Sequence, residues 1–198
     1  PIVDQHMHLD RENRFISAAE EFSRSGGTEI FLVHKPSFSK SLPTDLNGYR
    51  EVYRDTIKMA ESVREKTELK VNVVLGPHPV VWDIQANDIG VKASSELHIS
   101  AVGLALDMIE EGEAVCLGEV GRPHYPVSED RWTEANDLLL EIMRMASTSN
   151  SPVQLHVEEN GNQTCKDIAR LCNRSGLPKK RTIRHFAPSD ISDQRTSG

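Results

Sequence analysis

Asp4-Gln5-His6-Met7-His8-Leu9-Asp10 closes a short apolar run that begins at Ile2. Residues two apart on a β-strand point to the same side of the sheet, so His6 and His8 can bring both imidazoles to one place. Two imidazoles meeting at a strand end are the beginning of a divalent-metal site. The pattern of the remaining chain decides which kind of sheet carries this strand.

Short runs rich in β-formers recur at residues 2–6, 29–34, 70–75, 114–119, 152–156 and 182–186. Their brevity and apolar character suit buried parallel strands. Helical spacing fills the intervals. Residues 14–25 end at Gly26-Gly27, and 49–67 carry Val52, Ile57, Ala60 and Val63 on one stripe. Residues 94–111 carry Leu97, Ala101, Leu104 and Met108 and stop at Gly112. Residues 128–147 open on Ser128-Glu129-Asp130, a capping run, and 164–174 stop before Gly176. Strand then helix, six times over less a last helix, predicts a parallel sheet with helices outside it. An open doubly wound sheet and a (β/α) barrel both satisfy that order. No Gly-x-Gly-x-x-Gly follows the first strand, which counts against a dinucleotide fold. Ionisable residues crowd the strand exits, where barrels place their active sites. The strand exits favour an α/β barrel of the TIM type over the open sheet, in a single domain, 1–198, with residues 37–48 as a loop that could fold over its mouth.

Composition narrows the function. The chain has 198 residues, with 23 basic against 30 acidic side chains and a net charge of −7. It lacks the broad basic face of a duplex-coating protein. No window approaches the roughly 20 apolar residues of a membrane span, so no membrane partner is expected. No basic-then-apolar leader opens the chain. Cys116, Cys165 and Cys172 are an odd set without Cys-x-x-Cys spacing and read as reduced thiols, which points to the cytoplasm. Cys116 is expected to face the covering helices as a small apolar filler.

Seven of the eight histidines (His6, His8, His34, His78, His124, His156 and His185) stand at or just beyond the end of a predicted strand, and only His98 falls in a helix. Glu119 stands at the fourth strand's exit, bracketed by Gly118 and Gly121. That is more ligand than one tetrahedral ion requires. A carboxylate has two oxygens, so Glu119 can bridge two divalent cations about 3.5–4 Å apart. Hydrolysis by a metal-bridging hydroxide is the natural reaction class, with Glu119 as its catalytic group. No serine elbow, P-loop or Cys/His dyad competes. Zinc, manganese, magnesium and nickel all accept imidazole and carboxylate. Arg122, Lys35, His78 and His34 stand where they could bind a charged substrate, Arg122 in bidentate fashion. Asp4 shares a strand face with His6 and is expected to act behind it.

Five motifs in order resemble the TatD-related metal-dependent hydrolases of the amidohydrolase-type barrel superfamily. They are Asp4-Gln5-His6-Met7-His8-Leu9-Asp10, Gly76-Pro77-His78-Pro79, Gly118-Glu119-Val120-Gly121, Pro152-Val153-Gln154-Leu155-His156 and Thr182-Ile183-Arg184-His185-Phe186. His34-Lys35-Pro36 and Arg122-Pro123-His124 resemble an uncharacterised archaeal branch more than the bacterial deoxyribonucleases. The resemblance implies that His6 and His8 hold one metal, that Glu119 bridges, and that His156 and His185 hold the second. It implies a phosphoester substrate, DNA among the candidates. The chain departs from the family's pattern in having Val80 after the third motif, Arg122-Pro123 after the fourth and Val157-Glu158-Glu159 after the fifth. Family members have eight strands, with a metal-binding aspartate ending the eighth. The expectation is therefore a barrel that is C-terminally incomplete here, or else one covered by a second copy in a homo-oligomer. Hydrolysis of an amide or lactone, and metal binding without catalysis, are the alternative readings.

Overall fold

The computed structural model describes residues 1–39 and 41–185. The order of elements is β1 (Val3–Met7), α1 (Phe15–Arg24), β2 (Glu29–Val33), α2 (Leu46–Lys66), β3 (Lys70–Leu75), α3 (Pro79–Ile89), α4 (Val91–Glu110), β4 (Cys116–Gly121), α5 (Glu129–Thr148), β5 (Val153–His156), α6 (Gly161–Ser175) and, after a 3-10 turn at Lys179–Arg181, β6 (Thr182–Arg184). The strands form one parallel sheet in sequence order, β1 to β6. The sheet curls into a half-barrel with the helices between its strands, a TIM-barrel type of fold. Among the described residues no helix is long and apolar enough to cross a membrane.

Alternation along the strands builds two cores. Ile30, Leu32, Val71, Val73, Leu75, Leu117, Val153 and Leu155 pack with Tyr53, Ala60, Val63, Ala101, Leu139, Ile142 and Met143 from the helices. Each such aliphatic side chain removed from water contributes roughly 1.5–3 kcal/mol. Phe31, Val33, Val74 and Cys116 form a smaller cluster on the opposite face of the sheet. Cys116 was expected under the helices, and it does not lie there. The β4–β5 register shifts between Leu117 and Val120, and both of those residues, three apart, enter the helix-side core. The alternation slips by one residue and carries Cys116 to the concave face. A second shift lies between Asp4 and Met7 where β1 pairs with β2. The two irregularities therefore bracket His6 and Glu119. Bulges beside active sites re-aim side chains in this way.

The helix expected over 94–111 is α4, begun three residues earlier, and a further helix, α3, precedes it and is separated from it at Gly90 with φ 85°. Pro79 opens α3, with His78 as its N-cap. This helix buries Pro79, Val81, Trp82, Asp83, Gln85 and Ala86, most of its girth, so it has no one-sided stripe to reveal it. The sixth strand, expected over 182–186, is Thr182–Arg184, and Phe186 lies outside the described residues.

Candidate metal centre

The C-terminal ends of β1, β4, β5 and β6 bring His6, His8, Glu119, His156 and His185 together. The Glu119 side chain is 3% exposed, and its two oxygens face different pairs of rings. Oε2 lies 3.6 Å from His6 Nε2 and 3.3 Å from His8 Nε2, and those nitrogens are 3.1 Å apart. Oε1 lies 2.9 Å from His156 Nδ1 and 3.1 Å from His185 Nε2, and those nitrogens are also 3.1 Å apart. Zinc–ligand bonds of about 2.0–2.1 Å in a tetrahedron separate donor atoms by about 3.3 Å. Both triads match that spacing, so the residues present fit divalent cations.

Hydrogen bonds settle two of the ring tautomers. His6 Nδ1 donates to Gln154 Oε1 at 2.8 Å, and His8 Nδ1 donates to the Val33 carbonyl at 3.0 Å. Each ring, when neutral, then keeps its lone pair on Nε2, the atom facing Glu119. Asp4 Oδ1 accepts the His6 backbone N–H at 2.9 Å, while the partner of the His6 ring is Gln154.

Charge follows burial. Burial alone would raise the Glu119 carboxyl, but the imidazoles set against it, His156 and His8 first and then His78 and His6, outweigh burial and hold the carboxyl well below its usual range. Burial lowers His6, and it lowers His185 to about 4. His8 goes the other way: its bonds to Glu119 and to the Val33 carbonyl overcome burial and raise it. A buried carboxylate among mostly neutral imidazoles is the protonation state that cation binding requires.

The residues expected to bind substrate divide. His78 Nε2 lies 3.9 Å from Glu119 Oε2, and His78, Glu119 and His156 also present ligand atoms within 4.8 Å of one another. However, His78 Nδ1 accepts the Val80 N–H at 3.2 Å, so the neutral ring carries its proton on Nε2. In that tautomer His78 presents an N–H and not a lone pair toward the site. His34 is buried, with Nδ1 3.0 Å from Thr56 Oγ1 and its ring edge-on to Tyr53. His34 and His78 line a cavity of about 330 Å³ together with Lys35, Tyr49 and Asp55. Lys35 Nζ is 3.1 Å from Asp10 Oδ2. Arg122 is placed otherwise than expected. It is 2% exposed, forks onto both oxygens of Glu158 at 2.7 and 2.5 Å, donates to Asn136 Oδ1 at 2.6 Å and lies over the Trp132 ring. Its donors are spent inside the protein, where they tie the loop after β4 to the loop after β5.

Two residues of the site were given no role from sequence. Gln154 is a buried polar residue in an otherwise apolar strand, two before His156 and so on the same face. That pattern was the available signal. His124 Nδ1 lies 2.7 Å from His156 Nε2, and His124 lines a cleft of about 780 Å³ together with Tyr125, Pro126 and Trp132. Its position just past β4 was visible, but its partner was not.

The profile of the TatD related DNase family matches residues 3–196. The chain belongs to that family. The uncharacterised protein MJ1127 of Methanocaldococcus jannaschii is 26% identical over 201 residues, which is all of this chain and 69% of that protein. The crystal structure of an uncharacterised amidohydrolase from Saccharomyces cerevisiae superposes with a TM-score of 0.56 at 13% identity, covering 94% of this chain and 60% of that one. This second likeness concerns the fold. Family and fold together support a metal-dependent hydrolase in general terms, and the TatD relationship suggests that the histidine and glutamate clusters use divalent metal.

Proposed function

We propose that this chain is a divalent-metal-dependent hydrolase of phosphoester bonds, with His6, His8, His156 and His185 as ligands and Glu119 shared between two cations. The observation that carries this reading is the division of Glu119, one oxygen to each pair of imidazoles. Cations held there would acidify water at neutral pH and withdraw charge from a substrate oxygen. Imidazole-rich ligation favours zinc or nickel over magnesium. The chain's own groups do the rest. Glu119 stays ionised and keeps both pairs in register. His78, held neutral by burial with a pKa near 3, offers its Nε2–H to a substrate oxygen without a change of protonation.

The charged side chains favour a small phosphoester or a strand end over a duplex. Lys35 is paired with Asp10, Arg11 with Asp55, Arg184 with Glu159 and Arg122 with Glu158. These four cations offer a phosphate chain no unpaired run to follow, and duplex affinity depends on such runs. The test is Glu119→Gln. Turnover on a panel of phosphoesters should fall by at least about 100-fold, the upper end of what losing a mere outer-shell group costs, and at least one bound metal equivalent should be lost. Unchanged turnover and metal content would contradict the reading, and release of carboxylate in place of phosphate would redirect it to acyl bonds.

A further inference from the structure

Gln154 is 1% exposed and lies on the concave face of the sheet. Its strand, β5, is separated from β1 by three others, yet both ends of its amide bind β1. Nε2 donates to the Gln5 carbonyl at 2.9 Å, and Oε1 lies 2.8 Å from His6 Nδ1. A carbonyl can only accept, so Nε2 must face Gln5. Oε1 then faces His6, whose Nδ1 must donate. The neutral ring is left with its lone pair on Nε2, aimed at the Glu119 side. Room for this crossing comes from Gly118, where a Cβ would stand 2.8 Å from Gln154 Cβ.

The second triad has a different outer partner. His156 turns Nδ1 toward Glu119, so Nδ1 can offer a lone pair only if the ring's proton sits on Nε2. An acceptor for that proton stands 2.7 Å away, at His124 Nδ1.

We propose that Gln154 and His124 are positioning residues that preset the two cation sites separately, Gln154 through His6 and His124 through His156. The inference rests on reading the two triads as cation sites. Losing an outer hydrogen-bond partner of a metal-binding histidine weakens the metal by about 10–100-fold.

The test titrates the full chain with zinc alone against a chromophoric chelator. Wild type takes up two equivalents. Gln154→Leu should weaken one of them about 10–100-fold, and Gln154→Glu should restore it. Glutamate still accepts from His6 but cannot donate to Gln5, so a merely structural tie between β5 and β1 predicts that Glu behaves like Leu. His124→Phe should weaken the other equivalent, and His124→Gln, whose amide oxygen can accept from His156, should recover it. The combined Gln154→Leu and His124→Phe variant should weaken both. His124 is exposed, so its pair of variants keeps the test standing if Gln154→Leu fails to fold. Wild-type uptake with unchanged affinity in the Leu and Phe variants would overturn this inference alone. A wild-type chain that binds no zinc would overturn the hydrolase reading and this inference together.

Discussion

Arg122 and Glu158 are both departures from the family's sequence pattern, and the structure makes them partners of one another. The arginine is enclosed, stacked on Trp132 and forked onto the glutamate. Truncating one member of a buried pair leaves the other charge uncompensated, at a cost of about 3–5 kcal/mol. Arg122→Ala should therefore lower the unfolding free energy measured by urea denaturation by an amount of that order, reduced somewhat because Glu158 keeps partial solvent contact. An arginine that contacted substrate would instead raise KM and leave stability alone. His98 presents the opposite case. It is fully enclosed in α4, neither ring nitrogen has a hydrogen-bond partner among the described residues, and burial lowers its pKa to about 3. Its folded pKa lies below its unfolded value of 6.5. Between those values the unfolded chain holds the proton and the folded chain does not, so stability is complete above about pH 6.5 and is lost as pH falls toward 3. One such group accounts for about 2 kcal/mol between pH 7 and pH 5. His98→Leu should remove that share of the acid sensitivity. Urea midpoints measured at both pH values for wild type and variant check it, and an unchanged pH slope would contradict it.

At the scale of the element, β4 and β5 carry the strictest fit. A Cβ on Gly121 would lie 1.8 Å from the His156 carbonyl oxygen. The collision is with backbone, and no rotamer change relieves it. Gly121→Ala should push β5 away from β4, with a loss of at least about 2 kcal/mol and displacement of His156 from Glu119. Thermal denaturation measures the first effect, and zinc affinity the second. The bracketing of Glu119 by glycines was legible in the sequence, but its reason, the approach of the next strand's carbonyl, was not. Strand 70–75 and the helices with one apolar stripe were equally legible, because period alone declares them. Helix α3 was hidden by its near-complete burial, and the inner-face position of Cys116 by a register shift in β4, which no count along the chain can foresee. The placement of Arg122 is hidden for a related reason. Its partner is 36 residues away, and sequence position beside Glu119 says nothing about which way a long side chain folds.

The described residues form a curled parallel sheet whose strand exits converge, so imidazoles far apart in sequence gather at one carboxylate. That convergence could be read in the chain, since five short motifs in order declared both the fold family and the five candidate ligands. The outer partners of those ligands could not, because an amide reaching across the concave face from β5 to β1 leaves no trace in spacing. Anomalous diffraction from zinc-soaked crystals of the full chain tests the central claim most directly. Two peaks are predicted, one within about 2.3 Å of His6, His8 and Glu119 and the other equally close to His156, His185 and Glu119. Zinc bound elsewhere, with neither triad occupied, would contradict it.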